Sequence, residues 1–158
     1  MKRFLLLYWL SIALFFTIFY WDISPIASIL NSGQTNFTSF LTSLTLPSSM
    51  MEQNRIIINP YYELVIEKAC NGMIPYLFFV ASIVAFPSTW KHKLTWALMG
   101  YVVIESINIF RIWMVSKMVL EERSNFSLAH DYLGNIMLIV SALTLFVLFV
   151  KTRKRVLV

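Results

Sequence analysis

Three residues of the chain, Cys70, Arg111 and His130, have side chains that together could cleave a peptide bond. Amide cleavage needs a nucleophile, a proton carrier and a positive group where the carbonyl oxygen becomes an oxyanion. A thiolate is the attacking form of cysteine, and a nearby guanidinium or imidazolium lowers the thiol pKa. Histidine, with an ordinary pKa of about 6.5, gives and takes protons around neutral pH. Arginine stays protonated, so Arg111 suits oxyanion or carbonyl binding and not proton transfer.

Taken singly, each of these residues also has a purely structural interpretation. Cys70 is the only thiol, which excludes an internal disulfide, and a buried cysteine is usually an inert packing residue. An arginine near a helix end commonly extends its charge to the membrane interface with no catalytic role. His130 could be a polar residue at the same interface. The catalytic hypothesis therefore requires all three to lie together.

The elements that position these residues are membrane helices. Hydrophobic residues make up 58% of the 158-residue chain and charged residues 13%, a balance that excludes a water-soluble domain. We predict an all-α integral membrane protein, one domain over residues 1–158, folded as a four-transmembrane-helix bundle. The spans are expected at about 4–21, 69–87, 94–119 and 128–150. The first resembles a signal peptide, but no small-residue cleavage site follows it.

Residues 22–69 form the single long loop, which we expect outside the cytoplasm. Apolar residues recur at helical spacing in its first half, which predicts one or two short helices lying in the membrane interface. Two segments rich in β-branched and aromatic residues, Arg55 to Ile58 and Tyr61 to Ile66, flank Asn59-Pro60. This pattern predicts a small β-hairpin that leads directly to Cys70.

The distribution of charge predicts the orientation of the spans. The N-terminus, the turn at 91–93 and the tail ending in Lys151, Arg153, Lys154 and Arg155 hold eight of the thirteen Lys and Arg residues and no acidic residue. By the positive-inside rule these segments, and both termini, lie on the cytoplasmic side of a bacterial inner membrane. Asp22 and six other acidic residues then lie on the outer side. The basic residues form short runs and do not form a single basic face. We therefore expect the lipid bilayer to be a partner and do not expect a nucleic-acid partner.

Helix rise places the three reactive residues at similar depths. Counted from the inner end of each span at about 1.5 Å per residue, Cys70 lies about 24 Å up, Arg111 about 26 Å and His130 about 30 Å. A hydrocarbon core of about 30 Å puts all three in its outer layer, facing the periplasm or exterior. His92 and His130 lie on opposite faces and cannot share a metal, and no phosphate-binding loop is present. We therefore expect neither a metal nor a cofactor.

The residues around the reactive groups form three motifs in a particular order. Ala69-Cys70-Asn71-Gly72 opens the second span, Asn108-Ile109-Phe110-Arg111-Ile112 lies in the third, and His130-Asp131-Tyr132-Leu133-Gly134 opens the fourth. Over about residues 60–150 this order resembles the exosortase/archaeosortase family. The Cys-Asn-Gly form and the sequence Phe86-Pro87-Ser88-Thr89-Trp90-Lys91 are similar to the exosortase H branch. Many relatives have serine after the cysteine and have more spans. This chain has Asn71 at that position and four predicted spans.

The resemblance implies an integral-membrane cysteine transpeptidase. Its substrates would be exported, membrane-tethered proteins with a C-terminal sorting signal, made of a short motif, a hydrophobic span and a basic tail. Carried over by motif, the catalytic set is Cys70 as nucleophile with Arg111 and His130. Cleavage on the outer side of the cytoplasmic membrane would pass through a Cys70 thioester, resolved by an acceptor that the sequence does not identify.

Further residues are expected to support this set: Asn71, Gly72, Glu105 and Asn108. Glu105 lies near mid-membrane, where an ionisable residue is a functional candidate. Asn108 is placed either to orient Arg111 from the preceding turn or to bond between helices. The glycine allows close backbone approach. Glu67 and Asp131 are left outside the site, since adjacent residues on a helix do not face each other.

Two functions of other classes remain open. A non-enzymatic membrane subunit would bind a partner helix through these polar residues and would still work with Cys70→Ser. A small proton-linked transporter using Glu105 would be sensitive to Glu105→Gln and indifferent to changes at Cys70. Neither accounts for the three motifs together.

Overall fold

The computed structural model describes residues 2–21 and 24–153. Its helices are α1 (Lys2–Tyr20), α2 (Pro25–Ser43), α3 (Met73–Ala85), α4 (Trp90–Glu121), the short α5 (Asn125–Ser127) and α6 (Asn135–Thr152), with a π-helical segment at Leu128–Gly134. A 3-10 turn at Ser48–Met50 leads into an antiparallel sheet ordered β1 (Met51–Glu52), β2 (Arg55–Asn59) and β3 (Tyr62–Val65). Asp22, Lys154 and Arg155, which the charge argument used, lie outside the described residues.

Three helical stretches in the described chain are long and apolar enough to cross a membrane: α1, α4 and the continuous run Asn125–Thr152. Many of their large apolar side chains face outward, among them Trp9 and Leu10 of α1 and Ile139 of α6. An apolar outer surface on helices that satisfy their own backbone hydrogen bonds is what a bilayer requires. The protein is therefore a multi-pass membrane protein, mostly helical, with a small sheet.

The predicted second span, 69–87, differs most from the structure. α3 has 13 residues, about 20 Å of helix, which is shorter than a hydrocarbon core of about 30 Å. The residues before it form a turn, because Oδ1 of Asn71 accepts the N–H of Met73 at 3.1 Å and Gly72 has φ of 75°. Helix length alone therefore does not establish a fourth span. α3 packs against α1, α4 and α6, in the middle of the bundle.

The loop at 22–69 contains one long helix instead of the predicted short ones. α2 has 19 residues; it is capped by Ser24, begins with proline and continues through Gly33. Its buried face is polar and includes Gln34 and Thr38, whereas Ile29 and Phe40 are exposed. This polarity is the reverse of a helix on a soluble protein, as expected where lipid covers the apolar face.

The two ends of the bundle carry different features. At one end the N-terminal turn of α4 meets the end of α6, where His92 Nε2 lies 3.3 Å from the carbonyl of Phe149 and Arg153 donates to that of Pro87. At the other end the sheet packs against α4: Ile56 and Ile66 pack with Ile112, and Leu64 packs beside Val115. The three reactive residues lie at the end that carries the sheet.

Candidate active site

Cys70 lies in the turn between β3 and α3. Its backbone N–H donates to the carbonyl of Glu67 at 2.8 Å, and its own carbonyl accepts from Nδ2 of Asn108 at 3.0 Å. The next residue, Asn71, is fully buried. The backbone of Cys70 is thus held by one neighbour within the turn and one on α4, while its thiol remains partly exposed.

His130 lies in the π-helical segment and bridges two functional groups. Its Nε2 is 3.4 Å from the Sγ of Cys70, and its Nδ1 is 2.9 Å from an oxygen of Asp131. The ring stacks on Phe126, with centroids 4.9 Å apart. Because an ionised carboxylate only accepts hydrogen bonds, Nδ1 carries the proton and Nε2 is left to accept the proton of the thiol. π-helical turns of this kind frequently occur at functional sites.

The expectation that His130 and Asp131 do not face each other is wrong. The imidazole of His130 bends back onto the carboxylate of the adjacent residue, although their helical positions do not face each other. The other oxygen of Asp131 accepts from the hydroxyl of Ser127 at 2.9 Å. Cys70, His130 and Asp131 therefore form one chain of contacts, in the order thiol, imidazole and carboxylate that a catalytic triad would require.

Arg111 is buried beside this chain, with only 3% of its surface exposed. Its guanidinium donates to the side-chain oxygens of Asn108 at 3.5 Å and Asn135 at 3.3 Å. Among residues 2–21 and 24–153, no carboxylate lies within ion-pair distance of it. An arginine that extends to the interface would expose its charge, so this geometry disfavours the purely structural interpretation. The guanidinium interacts with the Cys70 thiol, and within the described residues no carboxylate forms an ion pair with it.

The three predicted catalytic residues line a single cavity of about 190 Å³. Its remaining walls come from the sheet, from Ile112 and Val115 of α4, and from Phe126. Burial of the Cys70 thiol on its own raises its pKa. The hydrogen bond and charge of His130 and the charge of Arg111 lower it further than burial raises it, so the pKa lies below the usual value for cysteine. A carbonyl in this cavity would meet sulfur, imidazole and guanidinium together.

Behind the cysteine turn, a buried polar cluster joins α2 to α4. The carboxylate of Glu105 accepts from Oγ1 of Thr38 at 2.5 Å and from Nε2 of Gln34 at 3.1 Å. The same two side chains also reach the carbonyl of Asn71, at 3.4 and 3.1 Å. A Cβ on Gly72 would lie 2.8 Å from Glu105, so only glycine fits against this carboxylate. The cluster fixes the turn that carries Cys70.

Several residues that contact the predicted ones were not among those predicted from the sequence, including Gln34, Thr38, Asp131 and Asn135. A signal for the first two was present, since they lie four residues apart on the polar side of the loop helix. If lipid covers the apolar side of this helix, its polar side must face the interior of the protein and is buried. Asn135 follows Asp131 by one turn; its Nδ2 donates to the Asp131 carbonyl at 2.9 Å while its Oδ1 accepts from Arg111.

The site has no feature of a metal centre, because no group of three His, Cys, Asp or Glu side chains lies close enough to hold an ion within the described part of the chain. A comparison with family models matches residues 2–147 to the family described as transmembrane exosortase (Exosortase_EpsH). No curated protein and no solved structure matches the chain.

Proposed function

Since this match covers nearly the whole chain, the protein belongs to the transmembrane exosortase family, and we propose that it is a membrane cysteine transpeptidase acting on C-terminal sorting signals. Membership confirms the family predicted from the three motifs and supports a transpeptidase-like role. The observation that carries the catalytic assignment is the 3.4 Å contact between Cys70 Sγ and His130 Nε2, in a cavity that Arg111 also lines.

The proposed reaction begins when His130 Nε2 takes the thiol proton and the Cys70 thiolate attacks the scissile carbonyl carbon. The tetrahedral intermediate collapses, the C–N bond breaks, and His130 returns the proton to the leaving amine. The upstream part of the substrate is then a thioester on Cys70. An acceptor amine, hydroxyl or water, deprotonated by His130, attacks the thioester and restores the thiol. Asp131 keeps the imidazole in the required tautomer throughout.

Arg111 is suited to stabilising the oxyanion. Its charge has no acidic partner in the described chain and is held by two neutral amides, Asn108 and Asn135, which orient it without neutralising it. In a site with little water such a donor acts strongly on charge that develops in the transition state. Loss of one oxyanion donor typically costs about 10²–10³-fold in rate.

Asn71, Gly72, Glu105 and Asn108 act as positioning residues in this proposal. Asn108 links the turn that carries Cys70 to Arg111, because its amide donates to the Cys70 carbonyl and its oxygen accepts from the guanidinium. Of the two alternatives considered for it from the sequence, these contacts support the orientation of Arg111, because its other partner, Cys70, lies in a turn and not on a helix. Glu105 acts through Gln34 and Thr38, whose donors reach both its carboxylate and the backbone after the nucleophile.

We further propose that the active site faces the outer side of the bacterial inner membrane. The end of the bundle opposite the site carries Lys2, Arg3, Lys91, Lys93, Lys151 and Arg153 and no acidic residue within the described chain, which the positive-inside rule assigns to the cytoplasm. In this topology α3 completes the membrane crossing between α1 and α4, and the turn that carries Cys70 lies at its outer end. The four expected spans then correspond to α1, α3, α4, and the run from α5 to α6.

The test is co-expression with an exported reporter that ends in a candidate motif, a hydrophobic span and a basic tail. The wild type is expected to release the tail fragment, whereas Cys70→Ala, His130→Ala and Arg111→Ala are expected not to. His92→Ala is the matched control, because it removes a histidine at the opposite end of the bundle and should leave cleavage unchanged. Cleavage that survives Cys70→Ala would falsify the assignment.

The two other classes have no specific support in the geometry. A transporter would need Glu105 to exchange protons, yet both of its oxygens accept bonds from buried side chains of α2. A binding subunit would not need an imidazole between a thiol and a carboxylate. The same co-expression experiment separates them, since a subunit would tolerate Cys70→Ala.

A further inference from the structure

The outer edge of the small sheet ends at the candidate nucleophile. β3 is an edge strand, paired with β2 on one side only, and in the described chain no strand pairs with its other side. The N–H of Ile66 donates to the carbonyl of Asn54, which identifies the residues whose backbone faces β2. Because backbone groups alternate along an antiparallel pair, those of Leu64 face β2 as well, and those of Glu63 and Val65 face the open edge.

This open edge borders the cavity that holds the reactive groups. Glu63, Val65 and Ile66 line the cavity together with Cys70 and His130. Phe126, on which His130 stacks, also lines it. The space between β3 and the π-helical segment is therefore a cleft, with backbone donors and acceptors on one wall and the catalytic imidazole among its lining groups.

An unpaired, partly apolar strand edge at a membrane surface is costly to leave open, since its backbone groups have no fixed partners and it invites pairing with other chains. The side chain of Glu63 is already neutralised by Arg55 at 3.0 Å, so it does not repel an incoming peptide. Val65 is 40% exposed and offers an apolar contact at the same edge. An extended peptide satisfies such an edge by adding a strand.

We propose that the substrate segment preceding the scissile bond binds as a fourth strand along β3, paired with the backbone groups of Glu63 and Val65. This inference rests on the proposed function, because it assigns the binding mode of the peptide that Cys70 cleaves. Pairing through the backbone holds the peptide extended regardless of its sequence, and alternate side chains enter the cavity. The carbonyl to be attacked is thereby delivered to the Cys70 thiol.

The experiment uses disulfide crosslinking in full-length protein that carries Cys70→Ala, so that binding is measured without cleavage. Val65→Cys is added, and single cysteines are scanned along the segment before the span of the same reporter. A paired strand brings every second substrate residue to the face of Val65, so crosslinks are expected to recur with a period of two. Glu52→Cys, exposed on the opposite edge of the sheet, is the matched control and should give none.

The outcomes separate the two proposals. Crosslinks with a period of three or four, equal crosslinking from Glu52→Cys, or no crosslinks would overturn strand addition at β3. If the wild type cleaves the reporter under those circumstances, the proposed function stands and only the binding mode fails. Crosslinks with a period of two to a reporter that the wild type does not cleave would keep the binding mode and overturn the transpeptidase function.

Discussion

The contacts among Cys70, His130 and Asp131 decide which of their side-chain atoms carry protons. Asp131 fixes the proton on Nδ1, which leaves Nε2 to act on the sulfur 3.4 Å away. The positive charge of Arg111 favours the thiolate further. Because cysteine reactivity follows the thiolate, these contacts can be measured through the sulfur alone.

The first prediction concerns the pH dependence of Cys70 alkylation. The folded protein holds the thiol pKa below the ordinary value for cysteine, so the thiolate persists to lower pH and the alkylation rate should reach its half-maximum at a lower pH than that of a free cysteine. Arg111→Gln or His130→Ala removes a positive partner and should move the midpoint upward. The measurement is the rate of labelling by a small neutral maleimide, for which Cys70 is the only thiol.

His92→Ala serves as the control for this profile. His92 lies at the far end of α4, where its ring stacks on Phe149, and should not move the midpoint. A wild-type midpoint at or above that of free cysteine would contradict the arrangement of charges around the sulfur.

The second prediction is that Asp131→Asn strongly reduces cleavage without unfolding the protein. The amide can donate to Nδ1, which forces the proton onto Nε2 and prevents it from accepting the thiol proton. A loss of about a hundredfold or more in kcat is expected, by analogy with the loss of general-base function. Glu67→Gln, a neighbouring acid on the cysteine turn, should retain activity. Equal effects of the two substitutions would show that only surface charge matters.

At the residue scale, the sequence predicted that Cys70, Arg111 and His130 lie together, and they line one cavity, but it did not predict all of their contacts. Helix rise predicted a common depth for Cys70, Arg111 and His130, and depth is a one-dimensional quantity that spacing can supply. Spacing says nothing about which helix faces meet. Asp131 was rejected by a rule for adjacent positions on a helix, and that rule does not account for a side chain that bends back along the backbone.

At the scale of elements, the π-helical segment packs closely against Arg111 of α4 at Gly134. A Cβ on Gly134 would lie 2.5 Å from Nε of Arg111 and 3.0 Å from the backbone oxygen of Ala129. The second neighbour is backbone and cannot simply rotate away. The close approach of the segment to Arg111 therefore requires the absence of a side chain here.

The third prediction is that Gly134→Ala displaces Arg111 and lowers both stability and cleavage. Overpacking of this kind costs about 1–3 kcal/mol, measurable as a lower thermal midpoint in detergent. Gly33→Ala is the matched control, because no atom lies within 4 Å of the added carbon and alanine favours the helix by about 1 kcal/mol. If Gly134→Ala left both the thermal midpoint and cleavage unchanged, the packing of Arg111 against this segment would not matter.

The elements of the loop were harder to predict than the spans. Strand propensity around Asn59-Pro60 indicated β-structure, and the sheet is present as three strands. The apolar spacing in the loop predicts one or two short interfacial helices, whereas the structure has the single helix α2, which has a buried polar face. In the structure that face meets Glu105, and burial of Gln34 against a carboxylate depends on a partner 71 residues away that local pattern cannot reveal. The start of α3 likewise depends on two residues: Asn71, whose side chain accepts the N–H of Met73, and Gly72, which has a positive φ.

At the scale of the whole molecule, the bundle has a basic end and a reactive end. The fourth prediction tests which end faces the exterior, using single cysteines in Cys70→Ala protein in intact cells. Tyr61→Cys, where the native side chain is 96% exposed, should react with a membrane-impermeant maleimide. Trp90→Cys, where the native side chain is 73% exposed, should react only after the cells are opened. The reverse pattern would contradict the topology.

If Cys70 is the nucleophile, the substrate acylates it, and intact-mass analysis of the full-length protein after exposure to the reporter detects the adduct. A fifth prediction follows: the wild type should gain the mass of the upstream substrate fragment, and hydroxylamine should remove it, because thioesters are labile to that nucleophile. Peptide mapping should place the adduct on Cys70, and Cys70→Ala should form none. Release of the tail fragment with no hydroxylamine-labile adduct, or an adduct on another residue, would contradict the account.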